Sequence, residues 1–188
     1  MTTIGGIDIS LVSTGLARIT TDGAQWSVDT WSHQSRPGDG TLAGRTRRIR
    51  AITDLVHDWI TPCDVVIIEG PSLGGVRGAG AFFDRAWLWG AVVTRLTIRG
   101  VTVAELPPAS RAKFATDRGG ADKAAIAMAV ARMWPAWTPG RPAGVNDQAD
   151  ALVLASAGVV LAGLTPPFPM PGYRTVALAK VPALVGYP

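Results

Sequence analysis

Short apolar runs separated by turn signals occupy the first part of the chain. A run at 3–9 is followed by runs at 16–19 and 25–31, and Ser-Thr-Gly and Thr-Asp-Gly sequences stand between them. This spacing predicts an antiparallel meander of three strands. A Gly-, Pro- and Ser-rich stretch at 33–40 predicts a loop after the third strand.

Helical and strand patterns alternate after that loop. Apolar positions recur at helical spacing over 42–59, and four β-branched residues in a row then predict a buried strand at 64–68. Further helices are predicted at about 81–98, 122–134 and 147–162, and a further strand at 101–106. The order predicts an α/β fold, with a mixed sheet that is first antiparallel and then parallel, flanked by helices.

The chain is predicted to form one main domain and a tail. Its 188 residues are 47% apolar, which is enough for a sizeable core. Six prolines follow Leu164, so we predict a folded domain over 1–164 and an extended Pro-rich tail over 165–188. The longest apolar run, 151–164, is shorter than the ~20 residues of a membrane span and predicts a buried helix.

Charge and cysteine content narrow the choice of partner and compartment. The net charge is +4, and fifteen of the eighteen basic residues are arginine, whose guanidinium group binds phosphate with two hydrogen bonds. This composition fits a nucleic-acid partner, although a GC-rich genome also favours arginine. Cys63 is the only cysteine, and the N-terminus lacks a signal-peptide pattern, so we expect a reducing cytoplasm and no membrane.

Four carboxylates stand at unusual positions. Asp8 lies within a strand pattern, Glu69 ends the buried strand, and Asp147 and Asp150 lie three apart at the start of an apolar helix. Each position has an ordinary explanation, either a solvent-facing strand residue or an acidic first turn of a helix. If all four converge, however, their like charges require cations, and Mg²⁺ or Mn²⁺ would suit the oxygen ligands. Two such ions hydrolyse phosphodiesters.

Four segments together resemble the RuvC-type Holliday-junction resolvases, over residues 3 to about 162. They are Gly-Ile-Asp-Ile-Ser with Thr-Gly-Leu-Ala (6–10 and 14–17), Val-Ile-Ile-Glu (66–69), Gly-Gly-Ala-Asp-Lys (119–123) and Asn-Asp-Gln-Ala-Asp-Ala-Leu (146–152). The resemblance implies an RNase H-like fold, a homodimer, two metal ions per site and nicking of branched DNA in recombination and repair. It implies metal ligation by the four carboxylates and a catalytic role for Lys123 beside the phosphate.

DNA contacts are expected from basic and aromatic side chains near these segments. The candidates are Lys113, Arg77, Arg118, Phe82 and Phe83. Family members often carry an aromatic residue soon after the second acidic residue, whereas Gly70 and Pro71 follow Glu69 here. Phe82 and Phe83 could contact DNA in place of that aromatic residue. Alternatively, they pack in the core or in a dimer interface.

Three functions are carried forward from these patterns. The first is a metal-dependent, structure-selective DNA endonuclease in the cytoplasm of a bacterium, or of the host if the source is a virus. The second is an RNase H-like nuclease that acts on RNA. The third is a DNA-binding module with the same fold and no catalysis, against which the four acidic positions argue, because acidic groups repel phosphate.

Overall fold

The computed structural model describes residues 1–71, 79–182 and 184, with the backbone alone for 79–81. The strands are β1 (Thr2–Asp8), β2 (Ser13–Thr21), β3 (Trp26–Gln34), β4 (Val65–Glu69) and β5 (Thr102–Leu106). The helices are α1 (Leu42–Ile60), α2 (Ala79–Ile98), α3 (Pro108–Thr116), α4 (Lys123–Met133), α5 (Val145–Leu161) and α6 (Gly172–Leu178). The strands form one sheet in the order β3-β2-β1-β4-β5.

The sheet is antiparallel on one side of β1 and parallel on the other. β1 pairs antiparallel with β2, and β2 with β3. β4 pairs parallel with β1, and β5 pairs parallel with β4. The mixed sheet predicted from the sequence is therefore confirmed. Because Ile7 pairs with Ile68, β1 and β4 end side by side, at Asp8 and Glu69.

Each face of the sheet has its own apolar core. Ile7 and Ile68 belong to the cluster under α1 and α2, whereas Ile4 and Ile67 belong to the cluster around α5. α5 lies between the sheet and the layer of α3 and α4, and this position explains why the predicted apolar run is buried. Among the described residues, no helix is both long and apolar enough to cross a bilayer.

Two glycines allow α5 to approach the strands closely. A Cβ atom on Gly6 would overlap the carbonyl oxygen of Ala151, and one on Gly15 would overlap that of Asp147. Only a residue without a side chain permits helix and strand backbones to come this near. The glycines of the first sequence segment therefore bring the start of α5 against the ends of β1 and β2.

The structure differs from the sequence prediction in α3 and in the bounds of β2, β3 and α5. The mixed segment after β5 is helical, because Pro107 and Pro108 stand at the helix start, where proline is well tolerated. β3 continues to Gln34, into the predicted loop, because its last residues pair with β2. β2 spans Ser13–Thr21 and is longer at both ends than predicted, and α5 begins two residues early.

The sequence predicted an extended chain after Leu164, but part of this segment is helical. Residues 172–178 form α6, which packs against α3. The buried Arg174 guanidinium donates to the carbonyl oxygens of Phe114 (3.2 Å) and Pro169, and lies over the rings of Phe114 and Phe168. The aromatic rings and carbonyl groups replace the solvent that an arginine normally needs. The division at residue 164 stays a prediction.

Candidate active site

Three elements bring the four predicted carboxylates to one edge of the sheet. Asp8 and Glu69 are the last residues of two adjacent parallel strands, and Asp147 and Asp150 lie in the first turns of α5. Side chains alternate along a strand, so Asp8 shares the α5 face with Ile4 and Gly6, and Glu69 shares it with Ile67. The spacing of three places both α5 aspartates on the side of the helix near the strand ends.

Asp8 lies at the centre of this group. The pKa of the Asp8 carboxyl is raised to about 8, first by burial and also by the neighbouring charges of Glu69 and Asp147 and by a hydrogen bond with Glu69. The positive charge of Arg111 acts in the opposite direction. The effects of Glu69 and Asp147 on the pKa of Asp8 mean that both carboxylates lie close enough to repel it.

Arg111 bridges two of the carboxylates, and the sequence analysis did not identify it. Its Nε donates to Glu69 Oε1 at 2.5 Å, and its Nη1 donates to Asp150 Oδ1. The arginine side chain is 12% exposed, and both partners are similarly enclosed. Pro107 and Pro108 could have indicated the start of a helix here, but nothing in the sequence indicated which face of that helix meets the sheet.

Asp147 has a different set of partners. The Ser13 hydroxyl donates to its Oδ2 at 2.5 Å, and the Lys123 ammonium lies 3.7 Å from its Oδ1. Lys123 is the first residue of α4, its side chain is 65% exposed, and Asp122 caps the helix by accepting from the Ala125 amide. The structure thus places the Lys123 ammonium and the Ser13 hydroxyl at the same carboxylate, and the catalytic role of Lys123 stays a prediction.

The remaining predicted residues lie apart from this centre or outside the described residues. Lys113 is two residues after Arg111 on α3, which places it about 200° around the helix. Arg118 is exposed in the turn after α3. Arg77 falls within 72–78, outside the described residues.

A groove of about 320 Å³ opens beside Asp8 and Glu69. Leu11, Phe82, Arg85 and Trp89 contribute to its walls, and the Trp89 indole donates to the Glu69 carbonyl at 3.0 Å. Phe82 therefore reaches the groove, and the adjacent Phe83 is 63% exposed. Neither phenylalanine packs in the core, so both are open to a ligand or to a second chain.

The chemistry of this donor set fits a hard divalent cation. Four carboxylates provide oxygen ligands, and the repulsion of Asp8 by Glu69 and Asp147 favours added positive charge. The donors are present, but in the described part of the chain no three Asp, Glu, His or Cys side chains are already arranged so that they could hold a metal ion. Arg111 instead supplies the positive charge between Glu69 and Asp150.

Comparisons with solved structures agree on the fold. RuvC of Thermus thermophilus matches 88% of this chain and 99% of its own, at 20% identity and a TM-score of 0.65. RuvC of the same organism in complex with a Holliday-junction substrate matches 82% of this chain and 91% of its own, at 22% identity and a TM-score of 0.65. The fowlpox virus resolvase with Holliday-junction DNA matches 81% of this chain and 93% of its own, at 13% identity and a TM-score of 0.54.

No model of a known protein family matches the chain, and no curated protein matches it in sequence. The fold is therefore identified from structure. The chain has an RNase H-like fold, with its carboxylates at the edge of the sheet that α5 covers. Within that class it has the architecture of the RuvC-type Holliday-junction resolvases, so the resemblance is confirmed at the level of the fold.

Proposed function

We propose that the protein is a metal-dependent endonuclease that nicks branched DNA. The observation that carries the proposal is the convergence of Asp8, Glu69, Asp147 and Asp150 at the carbonyl ends of β1 and β4. A protein that only binds nucleic acid gains nothing from four acidic groups in one place, because they repel phosphate. A phosphodiesterase needs them to hold divalent cations.

Each residue then has a defined task in hydrolysis. The four carboxylates would hold two Mg²⁺ or Mn²⁺ ions, which supply a water of lowered pKa and positive charge at the leaving 3′ oxygen. Ser13 orients Asp147 through the 2.5 Å hydrogen bond. Lys123 stands at the solvent side of Asp147, where its ammonium can neutralise charge that develops on the phosphate. No side-chain general base is assigned.

Branched DNA is the proposed substrate because of the fold and the groove. Two of the matched structures contain Holliday-junction DNA. In this chain, Phe82, Arg85 and Trp89 border a groove that opens at Asp8, and aromatic and arginine side chains bind unpaired bases by stacking. Lys113, Arg118 and Phe83 remain further predicted DNA contacts, as does Arg77.

A homodimer is proposed through α2. Trp87 and Ile98 are exposed on one side of this helix, and Gly90 and Ala91 leave a shallow depression between them. A second copy of the helix could approach closely at small residues and cover the apolar ones, and a dimer would give two cutting sites for a symmetric junction.

Sedimentation equilibrium tests this interface. We expect wild type to be a dimer and Trp87→Glu to be a monomer. Met128→Glu, at an exposed apolar position on α4, should leave the dimer intact. A wild-type monomer would contradict this part of the proposal.

Cleavage assays with a ligand variant test the activity. Labelled four-way junction, fork, linear duplex and RNA are incubated with Mg²⁺, Mn²⁺ or EDTA, using wild type and Asp8→Asn. We expect metal-dependent nicking of the branched DNA by wild type and a loss on the order of a thousandfold in Asp8→Asn, with DNA binding retained.

The other outcomes separate the alternatives. Binding without cutting by both proteins would make the chain a binding module, and cutting of RNA alone would make it a ribonuclease. We place the enzyme in the cytoplasm of a bacterium or of a virus-infected host, where its DNA substrate lies.

A further inference from the structure

Arg111 lies where two proposed metal ligands meet. We propose that Arg111 is a built-in counter-cation that competes with the divalent metal for Glu69 and Asp150, so that metal binding requires its guanidinium to leave them. This inference rests on the proposed function, because it takes both carboxylates as metal ligands. Arg111 would then set the affinity of the acidic centre for the metal without binding the metal itself.

The contacts show that one guanidinium serves both carboxylates. Arg111 uses Nε for Glu69 and Nη1 for Asp150, and all three side chains are less than one-fifth exposed. A cation and a guanidinium repel each other strongly when little water separates them. The two therefore exclude each other at these oxygens.

The backbone that carries Arg111 is fixed, which limits the exchange to the side chain. α3 starts at Pro108, and Phe114 near its end is buried and held through its carbonyl by Arg174. α3 also packs against α4, α5 and α6, so its position is held by several neighbouring elements. An arginine side chain has enough rotatable bonds to turn toward the open groove without moving α3.

The counter-cation would also stabilise the acidic centre when no metal is bound. Glu69 and Asp147 both repel Asp8, and Lys123 is too exposed to offset that repulsion well. Arg111 is enclosed with its partners, so its charge acts in surroundings with little screening. Its removal should therefore weaken the metal-free protein and strengthen metal binding, two effects of opposite sign.

Arg111→Gln tests this opposition, with Arg132→Gln as a matched loss of one arginine from an exposed position on α4. We expect the metal-free Arg111→Gln protein to melt at a lower temperature than wild type and to bind Mg²⁺ about tenfold more tightly in calorimetry. Its melting temperature should then rise more on Mg²⁺ addition than that of wild type. Arg132→Gln should match wild type in all three measurements. Equal or weaker Mg²⁺ binding by folded Arg111→Gln would overturn the inference.

A measurement on wild type decides the case if Arg111→Gln does not fold. In protein labelled with ¹⁵N at arginine Nε, the Arg111 signal is assigned from its loss in Arg111→Lys. We expect that signal to shift as Mg²⁺ saturates the site, because Nε loses Glu69. A signal that stays in place at saturation would overturn the inference.

The proposed function and the inference fail in different ways. If wild type binds Mg²⁺ and cuts DNA but Arg111 neither shifts nor affects affinity, only the inference fails. If neither wild type nor Arg111→Gln binds Mg²⁺ or Mn²⁺ and neither cuts, the proposed function fails and the inference with it.

Discussion

Asp150 and Asp147 are three residues apart on α5, yet their surroundings differ. Asp150 is buried and forms an ion pair with Arg111, which is itself enclosed. Asp147 accepts from Ser13 and faces Lys123, whose side chain is mostly in solvent. One carboxylate is paired with an enclosed arginine, and the other is paired with a hydroxyl group and a solvent-exposed lysine. Equal spacing on a helix therefore does not imply equal electrostatic roles.

The same substitution at both positions is the strongest way to test this difference. Asp150→Asn should lower the free energy of unfolding of the metal-free protein by about 2–3 kcal/mol, because it leaves an enclosed guanidinium with one partner fewer. Asp147→Asn should change it by less than about 1 kcal/mol, since the amide oxygen still accepts from Ser13 and the lysine is exposed. Urea unfolding in EDTA measures both.

Equal losses of stability in the two variants would show that burial does not distinguish the two aspartates. Asp150→Asn and Asp147→Asn should both lose metal-dependent cleavage. The two aspartates would then share a role in metal binding while contributing unequally to stability. A variant with full activity would remove its aspartate from the proposed ligand set.

Lys123→Ala has the smallest expected effect on stability. The Lys123–Asp147 pair is long at 3.7 Å and solvent-exposed, so we expect a loss of less than about 0.5 kcal/mol in unfolding. Cleavage of the junction should nevertheless fall about tenfold to a hundredfold at saturating Mg²⁺, because the ammonium neutralises charge on the phosphate. Lys180→Ala, at an exposed position after α6, is the matched control. A rate equal to that of the control would leave Lys123 without a catalytic role.

The sequence predicted the sheet, the order of its strands along the chain and the four acidic positions, because these features follow local periodicity and short motifs. Arg111 was missed because α3 has only nine residues and weak amphipathic periodicity, so no helical register could be assigned. Lys113 was favoured instead, and it lies on the other side of the same helix. α6 was missed because the prolines around it indicated an extended chain, whereas burial of Arg174 and packing on α3 override that local preference.

The distance along the chain between Asp8 and Asp150 has a consequence for synthesis on the ribosome. Asp8 ends the first strand, whereas the helix that completes the centre follows all five strands along the chain, and Arg174, which holds α3, comes later still. A nascent chain that ends after the strands contains Asp8 and Glu69 of the acidic centre. It lacks Arg111 and the two aspartates of α5. The proposed nuclease activity therefore cannot appear during early translation, when the unfinished protein is still attached to the machinery that makes it.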